Sequence, residues 1–155
     1  YNNWRVANMW WYLGYGFSQL NGGKQPYVQR NLLRKIIEEA DSCIVLQNPG
    51  ATLRFGHETM VMPLTVLMGL NGYDLVTDDY AHLDQKGWVN YRIFPMGANI
   101  QLVFYRRNTG NKDVLVKVLL NENEATLPIK SNTAPYYKWS EVRQYYLDKI
   151  NAFDY

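Results

Sequence analysis

The spacing of apolar residues predicts that the first third of the chain is helical. Residues 3–13 carry a bulky apolar face at helical spacing, and Gly14 and Gly16 end the run. A second helix is predicted from Pro26, which suits a first turn, because apolar residues then recur every four positions, at Val28, Leu32, Ile36 and Ala40. We therefore expect residues 1–48 to be a helical segment.

Strand-like and helix-like patterns alternate over residues 49–155. Residues 51–56 are typical of a short strand and pass directly into the apolar, helix-like run Met60 to Leu70. Residues 99–107 and 113–121 are β-branched or aromatic, and the turn residues 108–111 between them predict an antiparallel hairpin. We expect the three strands to share one sheet, with residues 51–56 lying centrally and helices covering at least part of each face.

Two further elements complete the predicted α/β architecture, a mixed sheet flanked by helices. Residues 125–129 form either an edge strand or a loop, since Pro128 cannot donate a hydrogen bond within a sheet. A last helix is predicted with Ser140 as its N-cap and with an apolar stripe at Val142, Tyr146, Ile150 and Phe153. No repeat or linker divides the 155 residues, so we expect one continuous piece of a domain.

Composition excludes several classes of function. The 16 basic and 14 acidic residues are mixed in order, so no basic stripe indicates nucleic acid binding. The single cysteine, Cys43, excludes an internal disulfide and a cysteine zinc cluster, and is expected to be a small buried residue near a helix end. No apolar stretch approaches the ~20 residues that cross a bilayer, and no signal peptide is present.

The polar residues of the middle loop favour structural roles over chemistry. Asp74, Asp78, Asp79 and Asp84 match no calcium-loop pattern, so we expect solvated loop carboxylates and no metal or cofactor. The same reasoning makes His82 a surface or hydrogen-bonded histidine.

The candidate chemistry lies at residues 53–59. His57 and Glu58 follow the predicted strand and precede the helix, which is where an imidazole and a carboxylate can meet an anionic ligand at a helix N-terminus. Arg54 lies three residues earlier; a structural ion pair is favoured for it, and phosphate contact is the alternative. An adjacent His-Glu pair is by itself more often structural than catalytic.

The residues around His57 and Glu58 favour a catalytic interpretation of the pair. Gly56-His57-Glu58-Thr59, followed by Pro63-Leu64-x-x-Leu67-x-Gly69-Leu70, resembles the His-Asp segment of the histidine-type acid phosphatases, in the branch that holds phytases and multiple inositol polyphosphate phosphatases. That segment usually reads Gly-His-Asp-Thr, or His-Ala-Glu-Thr in the inositol polyphosphate enzymes. The stretch from Pro95 to Ile100 is similar to the family's Pro-x-Ala-Ala-Asn approach to its next strand.

The resemblance implies roles and a missing partner. The family's nucleophile lies in an N-terminal Arg-His-Gly-x-Arg-x-Pro motif, which this chain lacks, so we expect the C-terminal part of a histidine phosphatase fold. Its partners would be the N-terminal part of the same protein, which carries the nucleophilic histidine, and a phosphate monoester. His57 would then contact the phosphoryl group, and Glu58 would protonate the leaving oxygen.

The resemblance also implies a periplasmic or secreted location. The alternative function is a non-catalytic protein that binds a polyphosphate or a glycan on a degenerate phosphatase fold. An intact nucleophile motif elsewhere in the protein would favour the enzyme over this alternative.

Overall fold

The computed structural model describes residues 1–106 and 113–153. Its helices are α1 (Asn2–Tyr15), α2 (Arg30–Cys43), α3 (Glu58–Met68), α4 (Asn90–Ile93) and α5 (Trp139–Asn151), and short 3₁₀ turns cover Gln19–Asn21, Gln25–Gln29, Leu70–Gly72 and Tyr80–His82. Its strands are β1 (Ile100–Tyr105), β2 (Leu115–Leu120), β3 (Asn123–Glu124) and β4 (Tyr137–Lys138). No helix of the described residues is long and apolar enough to cross a membrane.

The sheet is antiparallel and centred on β2. β1 pairs with β2 in the register Ile100 to Leu120 and Tyr105 to Leu115, which confirms the predicted hairpin, and its turn residues 108–111 lie outside the described residues. β3 and β4 also pair with β2. Val116, Val118 and Leu120 are buried, and the residues that alternate with them are half-buried. One face of the sheet therefore meets the core, and the other face is only partly covered.

Helix α3 is the centre of the core. Every residue from Met62 to Met68 is buried, which explains why its sequence is apolar all round rather than along one stripe. Helix α5 packs against the sheet: the Trp139 ring contacts the Phe104 ring of β1 in an edge-to-face arrangement, with centroids 5.0 Å apart. At the far end of α3 the Tyr146 hydroxyl donates to the Met68 carbonyl at 2.7 Å.

The buried face of helix α2 overlaps the predicted one: Ala40 is buried as expected, and Leu32 and Ile36 are half-buried against the core. Residues Gln25–Gln29 form a 3₁₀ turn with Pro26 near its start, and α2 follows from Arg30, so Val28 lies before the α-helix. The buried residues are Leu33, Ile37 and Ala40, whereas Val28 is 57% exposed. Cys43 does end a helix as expected, but it is exposed rather than buried.

The predicted central strand at residues 51–56 is wrong. These residues have no regular secondary structure and all are exposed. Leu53 is 75% and Phe55 94% exposed, so apolar side chains of this segment face solvent. A strand needs a neighbour for its backbone hydrogen bonds, and no strand of the described chain lies beside this segment.

The remaining predictions are closer to the structure. α1 and α5 match the predicted helices, and Val142, Tyr146 and Ile150 form the buried stripe of α5. Phe153, the fourth residue of the predicted stripe, lies beyond the end of α5 and stacks on Tyr27 with ring centroids 3.9 Å apart. That helix begins one residue before Ser140, with Lys138 at the N-cap position. Residues 125–129 are a loop, which is one of the two outcomes expected from Pro128.

Candidate functional site

His57 and Glu58 lie where the exposed segment enters α3. His57 is the N-cap residue in an extended conformation, with φ −100° and ψ 167°, and Glu58 is the first residue of the helix. The predicted start of a helix at this dipeptide is therefore confirmed, whereas the strand that was predicted to end at His57 is absent. Because Met62 and the residues after it are buried, the core fixes the helix axis and leaves its first turn outside.

The electrostatics of this helix end suit an anion. The first amide groups of a helix have no intrahelical acceptor and carry a partial positive charge. The His57 side chain makes no capping hydrogen bond to them, so its ring is not committed to the helix. Both side chains are exposed and consecutive in sequence, which allows an imidazole N–H and a carboxyl proton to approach one ligand from neighbouring directions.

Arg54 makes an ion pair with helix α2. Its Nη2 lies 2.6 Å from Oε2 of Glu39, with both side chains partly exposed. The favoured structural pairing is thus confirmed, and a phosphate contact by Arg54 stays a prediction. The pairing connects the segment before His57 to a helix that belongs to the core.

A second contact lies on the other side of His57. The Nε2 group of Gln29 donates to Sδ of Met60 at 3.5 Å, a weak hydrogen bond from a glutamine that is only 5% exposed. Gln29 ends the 3₁₀ turn that packs against α3. The start of α3 is therefore held by the same helical stretch that holds Arg54.

The comparisons with known proteins concern the region that contains these residues. Residues 5–121 match the sequence pattern of the histidine phosphatase superfamily (branch 2). The chain belongs to this superfamily. No curated protein matches this histidine phosphatase chain.

A solved structure similar to this histidine phosphatase chain is that of the multiple inositol polyphosphate phosphatase of Bifidobacterium longum in complex with inositol hexasulfate. The two share 27% sequence identity with a TM-score of 0.58, over 74% of this chain and 24% of that enzyme. The chain thus spans about a quarter of the length of its relative. The mixed α/β architecture, with an antiparallel sheet flanked by helices, matches part of a histidine phosphatase fold.

His82 and Asp84, two other polar residues considered from the sequence, have structural partners. His82 is exposed, and its Nδ1 lies 2.7 Å from Oδ1 of Asp79, as expected of a surface histidine. This hydrogen bond lowers the pKa of Asp79, with a smaller contribution from Lys86. Asp84 accepts a hydrogen bond from the Tyr1 hydroxyl at 2.6 Å. Within residues 1–106 and 113–153, no three potential metal ligands come together.

Sequence reasoning did not single out Glu39 or Gln29. Both lie on a predicted helix, where a charged or amide residue usually faces solvent, and their partners are 15 and 31 residues away. A contact between distant elements leaves no spacing in the sequence by which it can be found. A shallow surface depression lined by Asp113, Val114, Trp139, Ser140 and Arg143 contains none of the predicted site residues.

Proposed function

We propose that this chain supplies a phosphate-contacting histidine and a proton donor to the active site of a phosphomonoester hydrolase of the histidine acid phosphatase type. The observation that carries the proposal is the position of His57 as N-cap and Glu58 as first residue of a buried helix, with both side chains exposed. Membership of the superfamily supports it, because the matched residues 5–121 include both.

The proposed reaction has two steps. A histidine in the rest of the protein attacks phosphorus, and the bond between phosphorus and the ester oxygen breaks. His57 donates a hydrogen bond to a phosphoryl oxygen, and Glu58 transfers its proton to the leaving oxygen, so the alcohol departs neutral. Water then attacks the phosphohistidine while the Glu58 carboxylate accepts a proton from it, which releases phosphate and restores both groups.

Inositol phosphates are the proposed substrate class. The similar Bifidobacterium enzyme is a multiple inositol polyphosphate phosphatase, and its structure contains inositol hexasulfate. An alkyl phosphate of this kind has a poor leaving group, which makes a proton donor such as Glu58 valuable. Periplasmic or secreted location remains a prediction from the resemblance.

The test uses the protein that contains this chain, freed of metals and supplied with inositol hexakisphosphate. We expect phosphate release and, in rapidly quenched samples, a phosphoenzyme that is stable in base and labile in acid, as a phosphohistidine is. His57→Ala should slow formation of that intermediate by about 10²-fold or more, the usual loss when one stabilising donor is removed. His82→Ala is the matched control and should leave the rate unchanged.

Two results would contradict the proposal. One is a wild-type protein that binds inositol phosphates but releases no phosphate from any monoester, which would favour the non-catalytic binder. The other is equal activity of the His57→Ala and His82→Ala proteins.

A further inference from the structure

The chain on either side of His57 makes two contacts with the same helical stretch, one three residues before His57 and one three residues after it. Arg54 pairs with Glu39 at 2.6 Å, and Met60 accepts the weak hydrogen bond from Gln29 at 3.5 Å. Glu39 and Gln29 belong to one continuous helical stretch, residues 25–43. One rigid element therefore contacts both flanks of the catalytic dipeptide.

This helical stretch is itself fixed to the rest of the fold. Leu33, Ile37 and Ala40 are buried in the core. Two residues from Glu39, the Asp41 carboxylate accepts from Trp139 Nε1 at 2.8 Å and from Arg143 Nε at 2.6 Å, both on α5. The helix that carries the Glu39 carboxylate is therefore held on both sides, while residues 51–56 have no sheet partner in the described chain.

We propose that Glu39 is a positioning residue: its ion pair with Arg54 sets the path of the chain into His57 and thereby the direction of the His57 and Glu58 side chains. The inference rests on the proposed function and deepens it. It also assigns the Arg54 guanidinium to Glu39 rather than to the substrate phosphate. Catalytic groups must be held closely, since a displacement of about 1 Å costs roughly 10²-fold in rate.

Energetics separate positioning from simple stabilisation. The Arg54 and Glu39 side chains are 39% and 34% exposed, and such pairs contribute little to folding because water and salt screen them. Removing the pair should therefore leave the melting temperature nearly unchanged and still slow the chemical step. A purely structural role predicts the reverse.

The experiment is a charge cycle in the full protein. The variants are Glu39→Gln, Arg54→Gln, the double Gln variant and the exchange Glu39→Arg/Arg54→Glu, assayed by single-turnover phosphorylation and by KM with an inositol phosphate. We expect each single variant to lose about two- to fivefold in the phosphorylation rate with KM nearly unchanged, because a partly exposed ion pair can bias the path of the chain only by its own small free energy. The double variant should be no worse than either single variant, and the exchange should restore most of the rate.

Glu38→Gln is the matched control. Glu38 is the neighbour of Glu39 on the same helix and pairs with Lys35 at 3.5 Å instead of with the site segment. Its loss should leave rate and KM unchanged.

Three outcomes would overturn the inference. If Arg54→Gln raises KM, Glu39→Gln has no effect, and the exchange fails to rescue, Arg54 is a phosphate ligand. If Glu39→Gln and Glu38→Gln are equally active, the pair does not position the site. If Glu39→Gln slows the reaction only in proportion to lost folded protein, its role is structural.

A measurement without turnover distinguishes failure of this inference from failure of the proposed function. His57→Ala removes the imidazole NMR signals of His57 from the spectrum of the full protein and thereby identifies them. We expect Glu39→Gln to shift the His57 signals and Glu38→Gln to leave them in place. If the wild-type protein is inactive but Glu39→Gln still shifts the His57 signals, only the proposed function is contradicted. If Glu39→Gln leaves the His57 signals in place, the positioning role of Glu39 is contradicted.

Discussion

Glu58 has one more methylene than the aspartate that usually follows this histidine in the resembling phosphatases. In the proposed role its carboxyl group would reach the ester oxygen from a shifted position, with the same proton-transfer chemistry. The structure places it in the first turn of α3.

Replacement of Glu58 by Gln should separate two kinds of substrate. Gln keeps the size and a hydrogen bond but has no proton to transfer, so single-turnover phosphorylation by an inositol phosphate should slow by about 10²–10⁴-fold. With p-nitrophenyl phosphate, whose leaving phenolate needs little protonation, the same step should slow far less. Equal losses on both substrates, with phosphate affinity intact, would remove Glu58 from the donor role.

Asp84 gives a prediction for pH. The hydrogen bond from Tyr1, helped by the charge of Arg5, holds the pKa of Asp84 below its usual value. The folded state therefore gains stability from this carboxylate above its unfolded pKa of about 3.9, and loses it as the pH falls through the lower folded pKa. The difference in unfolding free energy between wild type and Asp84→Asn should be full near neutral pH and shrink in acid.

The check is urea denaturation of both proteins between pH 3 and pH 7. Asp78→Asn serves as the control, because Asp78 is an exposed carboxylate of the same loop region. A difference for Asp84→Asn that stays constant across this range would show that the hydrogen bond does not lower the carboxyl pKa.

At the scale of elements, the end of α3 is a tightly constrained position. Gly69 has a left-handed φ of +66°, and a Cβ there would lie 2.8 Å from Oδ2 of Asp74 and 3.1 Å from Pro128 Cγ. Gly69→Ala should therefore cost about 1–3 kcal/mol of unfolding free energy, from strain and from the contact.

Gly14→Ala is its counterpart within α1. A Cβ at Gly14 would meet nothing within 4 Å. Alanine there should stabilise the helix by about 0.5–1 kcal/mol. Chemical denaturation of both variants tests the pair, and the same sign of change in both would contradict this account of the two glycines.

The elements that sequence predicted well are those with local causes. The buried stripe of α5 follows from apolar residues at helical spacing, and β1 and β2 are two β-prone runs that lie close together in the sequence. The buried face of α2 was predicted only in part, because Val28 lies in the 3₁₀ turn before the helix and a strict four-residue spacing drifts from the 3.6-residue period of an α-helix. The strand at residues 51–56 failed because a strand requires a partner, which is a property of the neighbourhood and not of the segment.

The candidate site follows the same division. His57 and Glu58 were located by a local change of pattern together with a resemblance, and the N-cap geometry agrees with that location. Their roles stay predictions. The Glu39 and Gln29 contacts needed coordinates, since no rule of spacing connects them to residues 54 and 60.

At the scale of the whole molecule, activity should require more than these residues. The chain spans 24% of the length of its structural relative and has no histidine in the family's nucleophile motif. We expect the purified 155-residue chain to show no appreciable phosphatase activity, and addition of the N-terminal part to restore turnover if the two associate. Metal-independent turnover by the chain alone, abolished by His82→Ala, would show that the nucleophile has been misassigned.

The exposed segment before His57 has a consequence for the behaviour of the isolated chain at high concentration. Leu53 and Phe55 are 75% and 94% exposed and lie two residues apart in a segment without sheet pairing. Such a segment presents both apolar surface and unpaired backbone hydrogen-bonding groups to other molecules. The chain should therefore self-associate as concentration rises, seen as an increasing sedimentation coefficient. Phe55→Ser should suppress this self-association. Met96→Ser, which changes an equally exposed side chain outside the segment, should not. Equal effects of the two substitutions would mean that general surface hydrophobicity, and not this segment, limits solubility.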